Sequence, residues 1–240
     1  LASSSLRSVG LGLLIAPLLL LGSFLALNKF ERFDAEMLPH FSSRWSKATS
    51  LRDEITTEEL EAVNSLFVSS ASDFPQFLGP TRNACVGFEI AEDWSSNPPE
   101  ILWKQPIGEG WSGFVTQGDA AITMEQRDAS EWVSAYSIKD GSLFWKYAIN
   151  ALHTTVPGGT GPRSTPLIHN NRVYACSAVD RFVCLDLKTG QEIWSQDLLK
   201  LAGFTQEEFE KNGVWGRSAS PLLVGQFVVF PLGGSREKPQ

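Results

Sequence analysis

Cys184-Leu-Asp-Leu-Lys-Thr-Gly-Gln-Glu-Ile-Trp194 is the stretch on which the fold of this chain turns, because most of the sequence after residue 100 repeats its plan. Ala135-Tyr-Ser-Ile-Lys-Asp-Gly-Ser-Leu-Phe-Trp145 stands forty-nine residues earlier. In each, an alternating run meets a Lys-Thr-Gly or Lys-Asp-Gly turn and then a strand that carries a Trp. Gly141 and Gly190 supply the positive φ that a tight hairpin turn demands. Trp145 and Trp194 then occupy the same place on the outgoing strand. A buried Trp hides roughly 150–250 Å², an upper bound of about 4–6 kcal/mol at about 25 cal/mol per Å². One such residue per repeat is enough to hold neighbouring sheets together.

A period near fifty with several short strands per unit predicts an all-β β-propeller built of four-stranded antiparallel blades. The first full unit is expected to place strands near 113–117, 120–126, 131–138 and 143–149. The second places them near 164–169, 172–177, 181–186 and 191–197. A third opens at Ser220-Pro-Leu-Leu-Val224, matching Thr165-Pro-Leu-Ile168 of the second unit. Proline is tolerated at a strand start because no ladder donor is lost there. Before the first unit, Glu100 to Pro106 with Trp103 reads as the last strand of a further blade. The chain starts at Leu1 and stops at Gln240 just after a strand pattern, so it is read as a fragment of about two full and two partial blades. Residues 73–240 alone are expected to be unstable, their open strand edges having lost their neighbours.

Upstream, the nineteen residues Val9 to Leu27 carry no charge, and twelve are Val, Leu, Ile or Phe. As a helix they span about 28 Å, close to the roughly 30 Å hydrocarbon core. This predicts an N-terminal transmembrane signal anchor over residues 1–27. The competing expectation is a cleaved secretory signal, although Phe24 two residues before Ala26 fits a small-x-small site badly. Residues 28–72 read as a stalk. Within it Thr56-Thr-Glu-Glu59 forms a capping-box pattern, followed by Leu60, Val63 and Phe67 at helical spacing. The propeller occupies 73–240. The formal charge is −7 without a Lys/Arg cluster, which makes nucleic acid and anionic lipid poor partners.

The units resemble the pyrroloquinoline-quinone-like propeller repeat family, with its Ser/Thr-Pro opening and its Ala-x-Asp-x-x-Thr-Gly-x-x-x-Trp element. Asp186, Thr189, Gly190 and Trp194 match that element. Ala135, Gly141 and Trp145 match it too, while Ser137 and Asp140 depart. Phe74-Pro-Gln-Phe-Leu-Gly-Pro80, Gly110-Trp-Ser-Gly-Phe114 and Gly161-Pro-Arg-Ser-Thr-Pro166 are similar to the membrane-anchored or secreted bacterial branch of the group. The resemblance covers roughly residues 73–234 and implies two functions. One is a scaffold like the outer-membrane assembly lipoprotein, on the extracytoplasmic side, with an envelope protein or small ligand as partner. The other is a quinoprotein alcohol dehydrogenase holding pyrroloquinoline quinone (PQQ) beside calcium, which would need an acidic base and calcium ligands. Adjacent cysteines beneath the quinone, found in many such enzymes, are missing here.

Propeller ligands meet loops at one mouth of the central channel, so residues just before each innermost strand are the binding candidates. These are Trp111 and Ser112, Arg163 and Ser164, and Trp215 and Arg217, with Gln126 and Arg127 as weaker ones. Arginine beside aromatics suits a carboxylate or quinone-like acid. The same residues equally serve to cap strands and fill gaps between blades. Channel-mouth aromatics such as Trp111 and Trp215 would also suit a polysaccharide. No catalytic or metal-binding residue is singled out: His40, His153 and His169 are scattered, and His153 and His169 are expected in or beside exposed loops. Pro157-Gly-Gly-Thr-Gly-Pro162 reads as a wide connection between blades rather than a phosphate cradle. Cys176 and Cys184 are expected to face each other across a hairpin, as a bridge or as small core residues, and Cys85 has no evident partner.

Overall fold

A computed structural model describes residues 23–24, 26–33, 39–43, 66–89, 92–235 and 238–239. The chain divides into two units, Leu1–Ala48 and Thr49–Gln240. In the first, β1 (Asn28–Phe33) pairs with β2 (Pro39–Ser43) as an antiparallel hairpin within the stretch expected to be a stalk. Among the described residues no helix is long and apolar enough to cross a membrane. Most of the Val9–Leu27 span and the helix expected from Thr56 lie outside those residues.

The second unit is built from two four-stranded antiparallel sheets. The first holds β3 (Val115–Gln117), β4 (Ala120–Arg127), β5 (Ser130–Ser137) and β6 (Leu143–Ile149) in sequence order. Next comes a small hairpin of β7 (Thr154–Thr155) and β8 (Gly159–Thr160), formed by the glycine-rich stretch expected to be a plain connection. The second sheet holds β9 (Leu167–His169), β10 (Arg172–Cys176), β11 (Arg181–Asp186) and β12 (Glu192–Asp197). Two short helices, α1 (Leu198–Ala202) and α2 (Gln206–Asn212), follow, and α2 begins with a Thr205/Glu208 capping box. The third repeat opens with the hairpin β13 (Leu222–Val224) and β14 (Phe227–Val229), and β15 (Gly234–Ser235) pairs with β16 (Lys238–Pro239). This is the all-β, antiparallel arrangement of propeller blades.

The repeat is physical as well as textual. In β5–β6, Ala135 pairs with Trp145, and the register slips immediately afterwards. In β11–β12, Cys184 pairs with Trp194 and the same slip follows. Such a bulge twists the outer strand and re-aims its side chains. Asp186 Oδ1 accepts the Lys188 and Thr189 backbone N–H groups at 3.0 and 2.9 Å and the Thr189 hydroxyl at 3.0 Å. In the other turn the Ser137 hydroxyl accepts from the backbone of Lys139 at 3.2 Å, so the departure from the consensus Asp keeps the same bond.

Trp103 and Trp145 each lock one unit to the turn of the next. The indole N–H of Trp145 donates to Leu187 O at 2.9 Å. A Cβ on Gly190, whose φ is +68°, would lie 2.5 Å from the Trp145 ring. One unit earlier, Trp103 donates to Ile138 O at 2.6 Å and lies against Gly141 in the same way. Trp103 does this without a strand, however: residues 100–107 form no ladder, contrary to the expected strand. The turn carbonyl and glycine hold the ring, so sheet pairing is not needed to place it.

Successive side chains of β10 enter two different cores. Val173 and Ala175 enter the core shared with the first sheet, while Tyr174 and Cys176 face Phe182, Leu198 and the third repeat. Cys176 pairs with Phe182 and Cys184 with Tyr174, so the two thiols are not opposed across the hairpin. All three cysteines are free, and burial pushes the Cys176 thiol far up.

Residues 66–82 form a strap over the inner strands. Asp119 N donates to Leu66 O, Thr116 N to Phe74 O and Ile168 N to Pro75 O, at 2.8, 2.9 and 2.7 Å. Arg82 Nη1 then reaches Leu223 O at 3.1 Å. One short segment therefore satisfies donors or acceptors of three successive repeats and covers strand edges that would otherwise be open. Phe67 is buried against Phe144 with ring centroids 5.8 Å apart. Asp73 anchors the strap by accepting the backbone N–H groups of Ser70 and Gly118, both at 2.9 Å. Asp73→Ala should cost about 1–2 kcal/mol in urea unfolding; an unchanged midpoint would mean that the strap is held elsewhere.

Candidate functional site

The strap and the segments entering β3, β9 and β13 enclose a cleft of about 520 Å³. Phe74, Phe77 and Leu78 come from the strap and Ala84 from just beyond it, Trp111, Gly113 and Phe114 from the approach to β3, and Arg163 and Thr165 from the approach to β9. Ser218, Ala219 and Ser220, preceding β13, complete it. Gly113 N donates to Thr165 Oγ1 at 3.0 Å and Thr165 N to Ser220 Oγ at 3.0 Å, so hydroxyls stitch the successive entry segments together. Four aromatic side chains wall it, and among the described residues Arg163 is the single charged side chain lining it.

Of the six binding candidates, Trp111 and Arg163 line this cleft and the other four do not. Ser112 is spent on the backbone: its hydroxyl donates to Gly113 O at 3.1 Å and accepts from Met124 N at 3.2 Å. Ser164 is fully buried, with no partner for its hydroxyl. Arg217 donates to Val179 O and Leu232 O, both at 2.8 Å, and lies over the Phe209 ring, which ties the second blade to the third repeat. Trp215 is 62% exposed, on the loop after α2. Gln126 Oε1 accepts from His153 N at 3.3 Å, and Arg127 forms a salt bridge with Glu125 at 3.0 Å.

Behind Arg163 lies a buried polar seam between the two blades. Glu131 on β5 is wholly buried, and its two oxygens accept from Ala178 N at 3.2 and 3.1 Å. Burial pushes its pKa up to about 8, against the Ala178 hydrogen bond; Asp180 adds to the rise and Arg163 opposes it. Burial likewise raises Asp180 and lowers the pKa of Arg163, the latter opposed by Glu131. His153 is buried here rather than exposed in a loop, and burial, then the Arg163 charge, lowers its pKa. The reason is its position: the chain passes from β6 under the β7–β8 hairpin, and Gly216 closes over the imidazole.

Glu131 was missed from sequence, although it shares parity on β5 with Val133 and Ala135, which are also fully buried. An acid in phase with the apolar face was the available signal. Glu125, equally buried, accepts from Tyr136 Oη at 2.5 Å, from Arg127 Nε at 3.0 Å and from Gly108 N at 2.5 Å. It is a satisfied structural group. Phe74, Phe77 and Phe114 also line the cleft, and no spacing rule in their motifs marks them for it.

Among the described residues, no three His, Cys, Asp or Glu side chains gather as a metal site would require. A calcium-held polycarboxylate quinone requires several cations or donors and an oxygen-rich metal cage. The described cleft, with one Arg, two Ser and one Thr among aromatics, does not fit that group. It suits binding by apolar contact with one charged anchor.

A family model described as outer membrane protein assembly factor BamB matches residues 95–231, more than half of the chain. No curated protein matches. Among solved structures, BamB from Moraxella catarrhalis is 19% identical with a TM-score of 0.42, over 53% of this chain and 36% of that one. The quinohemoprotein alcohol dehydrogenase ADHIIG from Pseudomonas putida HK5 is 16% identical with a TM-score of 0.46, over 72% and 24% of the two chains. A europium-containing methanol dehydrogenase is 18% identical with a TM-score of 0.32, over 43% and 20%. The chain thus spans about a third of the length of the BamB structure and less of the two dehydrogenases.

Proposed function

Because the chain belongs to the PQQ-like propeller family described as outer membrane protein assembly factor BamB, we propose that it is a binding scaffold of the bacterial envelope. In this reading the propeller stands on the extracytoplasmic side, tethered through the apolar Val9–Leu27 segment, and docks a protein partner at its channel mouth. The observation that carries it is the cleft itself: four aromatic side chains around one half-buried arginine, the lone charged group lining it among the described residues. Rigid aromatics around one charged anchor are the usual makeup of a binding hot spot.

The test places a photo-crosslinking residue at Phe114 in the full-length protein within cells. One identified envelope protein should be captured, and Trp111→Ala should cut that yield severalfold. A parallel titration with PQQ and calcium, read with an electron-acceptor dye and simple alcohols, checks the alternative. Saturable quinone binding with turnover would replace the scaffold by a quinoprotein dehydrogenase. Crosslinks spread evenly over many proteins would also count against the scaffold.

A further inference from the structure

We propose that the cleft receives an extended segment of a partner protein in which an aspartate or glutamate adjoins a large apolar residue, the carboxylate being held by Arg163. This rests on the scaffold reading and adds to it the chemistry that is recognised. Among the described residues the Arg163 guanidinium bonds neutral groups: Nη1 donates to Gly161 O at 2.7 Å and Nη2 to Gly158 O. A guanidinium has five N–H donors, so donors remain beyond those two bonds. The acid that acts on it electrostatically, Glu131, is turned to Ala178 N and held largely protonated near neutral pH by burial. A partly desolvated cation therefore lines an apolar cleft with no ionised hydrogen-bond partner among the described residues, a costly arrangement that an incoming carboxylate relieves.

The apolar half of the ligand is set by the walls. Phe77 is 53% and Phe114 45% exposed, which leaves ring surface open beside the arginine. A polypeptide, rather than a free small acid, follows from how far the apolar surface extends. Trp111, 61% exposed, lies beside Gly159 on the β7–β8 hairpin, whose tip carries Val156, 59% exposed. Thr155 Oγ1 donates to Val214 O at 2.8 Å and so joins that hairpin to the loop bearing Trp215. This run of exposed apolar groups reaches beyond the cleft, and a small acid seated at Arg163 would leave it uncovered.

Calorimetric titration of the full-length protein at about pH 7, where Glu131 is largely protonated, provides the test. The probes are the blocked peptide Ac-Gly-Leu-Phe-Asp-Leu-Gly-NH2, its Asn counterpart, and phenylacetate. The Asp peptide should bind roughly tenfold or more tightly than the Asn peptide, as expected for loss of a charged hydrogen bond. Phenylacetate should bind more weakly than the Asp peptide, and Arg163→Gln should bring the two peptides level. Equal binding of Asp and Asn peptides by the unaltered protein overturns the proposal without relying on the variant's folding. Phenylacetate binding as tightly as the Asp peptide overturns it in favour of a small-acid site. No binding of either peptide up to about 1 mM also overturns it; a specific envelope crosslink at Phe114 would then leave the scaffold reading standing.

Discussion

Alanine in place of Trp145 should lower the unfolding free energy by roughly 3–5 kcal/mol, the range for a large aromatic removed from a packed core. Trp145 is only 4% exposed, and two contacts are lost together: the indole hydrogen bond to Leu187 O and the ring face against Gly190, while the backbone pairing with Ala135 stays. The consequence reaches beyond one blade, because the ring is the peg by which the first sheet grips the turn of the second. Trp103→Ala should cost less, since that ring is only partly buried and its segment has no ladder to disrupt. The check is urea unfolding of the full-length variants, read as a fall in midpoint. Equal losses for the two tryptophans would show that ring burial is not what ranks these contacts.

The second large effect is a pH dependence centred on Glu131. Its carboxyl titrates near 4.5 when unfolded and at about 8 in the folded protein, chiefly because burial disfavours the charge. Between those values the folded state keeps a proton that the unfolded state has released. Stability therefore falls as pH rises, by about 1.4 kcal/mol per unit for this one group. Its contribution is fully present below about pH 4.5 and spent above about pH 8. Asp180, raised by burial, acts in the same sense over its own range. His153, lowered by burial and by Arg163, acts oppositely and loses stability as pH falls. Glu131→Gln keeps the shape and removes the proton equilibrium, so the difference between the two proteins isolates the group. The Gln variant should gain on the parent progressively from about pH 5 to about pH 8. Parallel pH–stability curves would mean that Glu131 is ionised in the folded protein.

The sequence by itself determined the repeat, the antiparallel sheets and nearly every strand boundary in the two full blades. Those features depend on local rules: two-residue side-chain alternation, a glycine at a positive-φ turn, and a Trp at a fixed distance from it. Even the departure at Ser137 kept its turn, because a hydroxyl accepts the same backbone N–H groups as a carboxylate. The same local rules gave a strand around Trp103, and among the described residues no strand pairs with it. Trp111 and Arg163 precede innermost strands, and that address is what brings them to the cleft wall. Ser112 and Ser164 share that address yet are spent on backbone or sealed in the core.

What only the tertiary structure decided is what meets what between blades. The strap that walls the cleft bonds to three repeats at once, and nothing in residues 74–82 states where those repeats will lie. His153 became a buried group and Glu131 a neutral one because two sheets and the loop at Gly216 close over them. Burial is a property of the neighbours' positions, and it is burial that sets both the charge on Glu131 and the isolation of Arg163. Periodicity places a side chain on one face of its own strand; the stacking of sheets decides whether that face meets water, a ring or another charge.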